Sequence, residues 1–415
     1  MTISRKPWER RLEDLAHLLR GCSETYFEPD LFRRNTNQFL QTARTVTFII
    51  QKNKVDIPGF DEWYRKQVLD GWAQDRVMTW AKDARNTIEK EGDLEINSTL
   101  SVSLIYSYLE EEDITVPCGR TELLGAGVKR LIRFAQKHLP TGIADAAGIR
   151  IERSWITAGL ESLELLQALV YVYSRLYDCC KSLAIQLERS LPKSIPEPSE
   201  LATLGDLVRH VRLMKLRDLQ SYHFKTGTMH APNEDELPDG FKDRVKGLIE
   251  SLGKPIDFQS AVAFYRGMAQ ATFSQWQNHI PMLFLLNEDW SVQYMVAPVL
   301  VDQTDKYFFW RMIGERVRIQ KPHCLVHTTE VWVRDLSKGH PQLAMRQLPI
   351  KGECLQTCLI DRDGNRSVTN WDIHRQEDGQ PTLSLPLEAY DSDQRLFFLV
   401  PAMRGMGIQP DFVGK

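Results

Sequence analysis

Three groups of residues in this chain have the types that chemistry needs. The first is Arg85, Asn86 and Lys90 in the stretch DARNTIEKEG. A guanidinium is permanently cationic and can hold a phosphate. Lys90, a cationic side chain, could act as an acid or charge stabiliser but not readily as a base. Glu89 stands one helical turn after Arg85, and a solvated ion pair explains the same residues more plainly. The second group is the basic run Arg209, Arg212, Lys215 and Arg217, followed by His223 beside Tyr222. These cations could neutralise a few RNA phosphates and the histidine could stack on a base. A solvated helix face opposite the acidic 234–239 loop is the plainer reading. The third group, His323, Cys324, His327, Glu330, Cys354 and Cys358, has metal-ligating types. On a strand, His323 and His327 would share a face while Cys324 and Glu330 point to the other, and no paired Cys-x-x-Cys brackets them. Buried thiols and cross-strand packing are therefore expected, with no metal and no cofactor. Glu330 and Glu353 could form an acid pair on two strands. There is no phosphate-binding loop, dinucleotide fingerprint or nucleophile elbow.

The elements that must carry these residues are legible from periodicity. Phe39, Ala43, Val46 and Ile50 recur at steps of four, three and four, and Val77, Ala81, Ala84 and Ile88 repeat the pattern. Two amphipathic helices joined by the aromatic connector GFDEWYR can bury these stripes against each other as a hairpin, with Arg85 late on the second helix. Leu163, Leu166, Val170, Tyr173, Tyr177, Cys180, Ala184, Leu187 and Leu191 form a heptad-like seam within a helix expected from about Ser154. Leu165, Leu169, Val172, Leu176 and Leu183 add a second stripe. That surplus of apolar surface predicts a homodimer. From about His279 the character changes. PMLFLLN, VQYMVAPVLV, HCLVHTTEVWV, ECLQTCLI, SVTNWDIH and TLSLPL read as strands, KYFFWRMIGERVRI as a helix, and DRDGN as a tight turn built on Asp363 and Gly364.

The hairpin resembles HEPN-like helical domains, known from uncharacterised bacterial proteins and from ribonucleases and toxins of conflict systems. RNTIEKEG resembles a form of their signature in which Arg85 and Asn86 match and Lys90 stands where a histidine is expected. The resemblance covers roughly residues 30 to 95. It implies that Arg85 holds a scissile phosphate in a site shared across a dimer, with Arg85, Asn86 and Lys90 as the catalytic set and the expected histidine missing. The function implied is that of an RNA-associated binding or dimerisation protein of bacterial conflict or defence type with a degenerate nuclease site. A metal-independent endoribonuclease and a protein-interaction scaffold without RNA are the alternatives.

Composition sets the outer bounds. At 415 residues and 42% hydrophobic content, the chain can bury two or three cores. A formal net charge of -3 provides no global basic field. Seven scattered cysteines fit a reducing, cytoplasmic setting. The first twenty residues read as an amphipathic helix, and no apolar run approaches the roughly 18 residues of a membrane span. The fold class expected is mainly α with a C-terminal α+β domain and a HEPN-like helical hairpin at the N-terminus. The boundaries are 1–112 for the hairpin domain with a following strand, 113–253 for a helical domain around the heptad-patterned helix, and 254–415 for the α+β domain.

Overall fold

The computed structural model describes residues 5–110, 112–119, 121–206, 210–221, 240, 243, 246, 247, 250, 251, 253–338, 347–375, 379–388 and 396–410. Arg209, His223, the acidic 234–239 loop and most of the stretch 241–252, which reads from sequence as a short helix, lie outside these residues. The protein is a mixed α and β structure in two units, each discontinuous in sequence. One comprises residues 1–101, 117–122 and 152–211, the other 102–116, 123–151 and 212–415.

The first unit is built on helices α1 (Pro7–Glu24), α2 (Pro29–Lys52) and α3 (Arg76–Glu91). The expected stripes of α2 and α3 are buried, from Phe39, Ala43, Val46 and Ile50 to Ala81, Ala84 and Ile88, with Trp63 and Tyr64 of the connector beside them. The Asp75 carboxylate starts α3 by accepting from the Met78 amide at 3.1 Å. Its other oxygen pairs with Arg175 at 3.1 Å, on the long apolar helix of the same unit. That helix runs over Leu165–Gln186, not from Ser154. Residues Gly148–Thr157 are a strand instead, because Ile149 and Ile151 alternate with Arg150 and Glu152 at the period of a pleat. The Glu164 carboxylate then opens the helix by accepting from the amides of Leu166 at 2.8 Å and Gln167 at 3.3 Å. Leu165, Leu169, Val172, Leu176 and Leu183 join Leu166, Tyr173, Tyr177 and Cys180 in the unit's core. The surplus that argued for a dimer is thus largely covered by α1, α2 and α3.

A four-stranded sheet has the order β2-β1-β3-β4, with β1 Ile96–Ile105, β2 Ile114–Pro117, β3 Gly148–Thr157 and β4 Val211–Lys215. Between β2 and β3 lies helix α4 (Leu124–His138); the long helix, Leu165–Gln186, is α5. A larger sheet has the order β10-β9-β8-β7-β5-β6, with β11 pairing on β9. Its strands are β5 Met282–Leu286, β6 Val292–Val296, β7 Cys324–Arg334, β8 Ile350–Asp361, β9 Arg366–His374, β10 Thr382–Leu383 and β11 Leu387–Glu388. These pairings are antiparallel and fall on the strands read from the sequence, except that β6 ends at Val296 and TLSLPL divides into the short strands β10 and β11. Alternation along β7 sends Cys324 and Val326 to one face, where helix α6 (Phe258–Trp276) packs through Phe264, Tyr265 and Met268. It sends Leu325 to the other face, against Phe309, Trp310, Ile313 and Val317 of helix α7 (Gln303–Gln320).

A short helix α8 (Val400–Met406) lies on α7 at a contact that only glycine permits. A Cβ on Gly314 would stand 2.6 Å from the Pro401 carbonyl oxygen, and one on Gly405 would fall on the Gly314 carbonyl. Gly405→Ala should therefore push the helices apart and cost ~1–3 kcal/mol, read as a lowered melting temperature. Unchanged melting would mean that α8 reseats without loss. Among the described residues no helix is long and apolar enough to cross a membrane.

Candidate metal centre

At the end of the larger sheet where β7 begins and β8 finishes, three side chains of metal-ligating type converge. His323 immediately precedes β7, and the antiparallel register sets Cys324 opposite Asp361, the last residue of β8. Asp363 follows two residues later in the DRDGN turn. One ligand atom from each of His323, Asp361 and Asp363 lies within 4.8 Å of the others.

Local hydrogen bonds fix the His323 backbone and the Asp361 carboxylate. The His323 amide donates to the Leu286 carbonyl at 2.8 Å, and its carbonyl accepts from the Arg362 amide at 2.9 Å. The Trp290 ring meets the imidazole edge to face, at 5.0 Å and 89°. The Asp361 carboxylate accepts from the Asn365 amide and from its side-chain nitrogen, both at 2.8 Å. Gly364, at φ 85°, supplies the left-handed residue that closes this turn. Arg362 lies between the two aspartates, but its guanidinium donates to the Pro322 carbonyl at 2.6 Å and weakly to that of Met406.

Asp361 is 1% exposed and, among the described residues, forms no ion pair, whereas Asp363 is exposed and His323 half-buried. A buried carboxylate is ordinarily paired with a cation or bound to a metal, since its charge is otherwise expensive to desolvate. Each of its oxygens keeps a lone pair beyond the bonds to Asn365. One imidazole and two carboxylates suit a divalent ion of the zinc or manganese kind, and three protein ligands leave coordination positions for water or an oxyanion.

Of the metal-type residues read from the sequence, only His323 belongs to this cluster. His327 is directed against α7, its ring 5.0 Å from Trp310 and 5.6 Å from Phe398. All seven cysteines are free and buried, as packing thiols should be. Glu330 and Glu353 do approach one another, with Arg375 between them at 3.0 and 2.6 Å. The two aspartates are hidden in the sequence because DRDGN reads first as a turn. An Asp-x-Asp at a hairpin, with a histidine heading the strand before it, is the signal that marks them.

Of the other expected site residues, Arg85, Lys215 and Arg217 are engaged by internal contacts. Arg85 pairs with Glu89 at 2.5 Å and donates to the Asn86 side-chain oxygen at 3.1 Å. Lys90 is exposed and makes neither contact. The basic run is no solvated helix. Val211–Lys215 is strand β4, in which Lys215 is buried and held by Asp302 at 2.7 Å and Asp305 at 2.8 Å. Arg217 also pairs with Asp302. Burial alone would raise the Asp302 carboxyl, but Lys215, the helix-cap amide and Arg217 hold it below the ordinary range. Arg212 is half-buried on the same strand.

Comparison with known proteins adds a finding of another kind. A family model described as bacteriophage lambda protein ea47 matches residues 5–195 and 249–402. "Protein ea47" of Escherichia phage lambda is 37% identical over 406 residues, covering 98% of both chains. No solved structure matches. This full-length likeness overturns the HEPN-like reading, and with it the RNA-associated, defence-type function, its endoribonuclease and scaffold alternatives and the ribonuclease label. An Arg-Asn pair late on an amphipathic helix is common to many helices, and here it is part-buried, with Arg85 held by Glu89 one turn on.

Proposed function

The chain belongs to the family of bacteriophage lambda protein ea47, and from that premise we propose that it binds a divalent cation through His323, Asp361 and Asp363. The observation that carries this reading is Asp361, a buried carboxylate without a cationic partner among the described residues, beside a second carboxylate and an imidazole. Bound there, the ion would neutralise Asp361 and join the β8–β9 turn to the start of β7. Its remaining positions would take water or an oxyanion. A cytoplasmic setting accords with the seven free thiols.

Binding to the folded state stabilises it by mass action, by ~2.7 kcal/mol at a hundredfold excess over Kd. Manganese or zinc added to chelator-treated protein should raise the melting temperature, and EDTA should reverse the rise. Asp363→Asn should remove the response while leaving the metal-free melting temperature nearly unchanged, because Asp363 is exposed. A protein that binds neither ion in calorimetry would end this reading.

A further inference from the structure

Helix α4 carries a cationic ladder that is unpaired among the described residues. Over Leu124–His138 it contains no aspartate or glutamate, and Gly127, Val128, Leu131 and Ala135 are buried. The opposite face exposes Lys129, Arg130, Arg133 and Lys137. None of these four makes a hydrogen bond or ion pair among the described residues. This sets α4 apart from Lys215 and Arg217, whose charges are neutralised inside the same unit.

Lys129, Arg133 and Lys137 fall at successive steps of four, so they share a face and span ~12 Å, with Arg130 flanking them. Four cations concentrated there oppose a chain whose overall formal charge is -3. We infer that this face docks on the phosphate backbone of double-stranded DNA without reading its sequence. A duplex presents one negative charge per ~1.7 Å of axis, so a ~12 Å ladder meets several phosphates wherever it lies along the backbone. A protein partner fits less well, since none of the helix's large apolar side chains is exposed to form the core of such an interface. A membrane fits less well too. The apolar stripe that a surface-lying helix would insert is already buried in the protein. DNA docking on α4 does not depend on the metal centre.

The test is fluorescence anisotropy of a labelled 20-base-pair duplex with the full chain, from 50 to 200 mM KCl. Four phosphate contacts predict a slope of log K against log salt near ~-3.6, a loss of roughly a hundredfold over that range. Arg133→Gln should flatten the slope by ~0.9. The combined variant Lys129→Gln, Arg130→Gln, Arg133→Gln and Lys137→Gln should abolish binding while keeping the parent circular dichroism. An equal charge change on the exposed cations Lys52, Lys54, Arg65 and Lys66 should leave binding in place, and duplexes of unrelated sequence should bind alike. Absence of binding at 50 mM would overturn the inference. So would equal loss in the control variant, or capture by phosphatidylserine vesicles without capture by the duplex.

Discussion

Replacing Arg189 with methionine is expected to lower the unfolding free energy by ~3–5 kcal/mol, the usual consequence of leaving one member of a buried ion pair uncompensated. Glu9, in the first turn of α1, is 0% exposed. Its carboxylate pairs with Arg189 at 2.8 Å and also accepts from the Lys6 amide at 2.7 Å. Arg189 lies just beyond α5, so this single pair fastens the start of α1 to the end of the unit's central helix. Adding Glu9→Gln to Arg189→Met removes the stranded charge and should recover most of the loss. Urea unfolding of both variants measures the effect. A loss under ~1 kcal/mol for Arg189→Met would show that water reaches Glu9 in the folded state.

The second large effect is acid sensitivity arising between the larger sheet and α7. His327 is buried, and among the described residues neither ring nitrogen has a hydrogen-bond partner. The His279 Nε2 is likewise unpartnered, while its Nδ1 meets the Ile280 carbonyl at 2.7 Å. Burial pushes His327 down to about 3, helped by the neighbouring His279 and Lys306. Burial also pushes His279 down to about 4, against the pull of the Ile280 carbonyl. Both imidazoles therefore stay neutral in the folded protein while the unfolded chain takes up protons below an ordinary pKa of ~6.5. The unfolded state then binds more protons, so stability is fully present above pH ~6.5 and falls as the pH drops toward the folded values. At ~1.36 kcal/mol per pKa unit, the two together remove roughly 5 kcal/mol by pH ~4.5. His327→Phe keeps a ring beside Trp310 and Phe398 and discards the orphaned nitrogens. It should raise stability at pH ~7 by ~1–3 kcal/mol and halve the loss between pH ~7 and ~4.5. Denaturation midpoints at the two pH values test this. The same pH dependence in the variant would assign the acid loss to other groups.

What the sequence determined by itself is the set of elements whose apolar residues recur at a fixed period. The stripes of α2 and α3, the body of α5, helix α7 and the strands after His279 all follow from burial imposing 3.6- or 2-residue spacing on the chain. The Asp363–Gly364 turn was equally local, because a left-handed residue is needed there and glycine takes that conformation without strain. Tertiary structure alone decided which polar residues meet. Lys215 lies 87 residues from Asp302, its partner across the fold. His323 meets Asp361 only because β7 and β8 run antiparallel in a register that brings the first residue of one strand to the last of the other. Arg85 had every local attribute of a functional residue. The neighbour that engages it, Glu89, was visible one turn away, but whether a phosphate or a carboxylate takes a guanidinium depends on what the fold places beside it. Apolar periodicity is a repeated, local and non-directional signal. A site is made once, from directional groups far apart in the chain, and its geometry is settled only when the backbone closes around it.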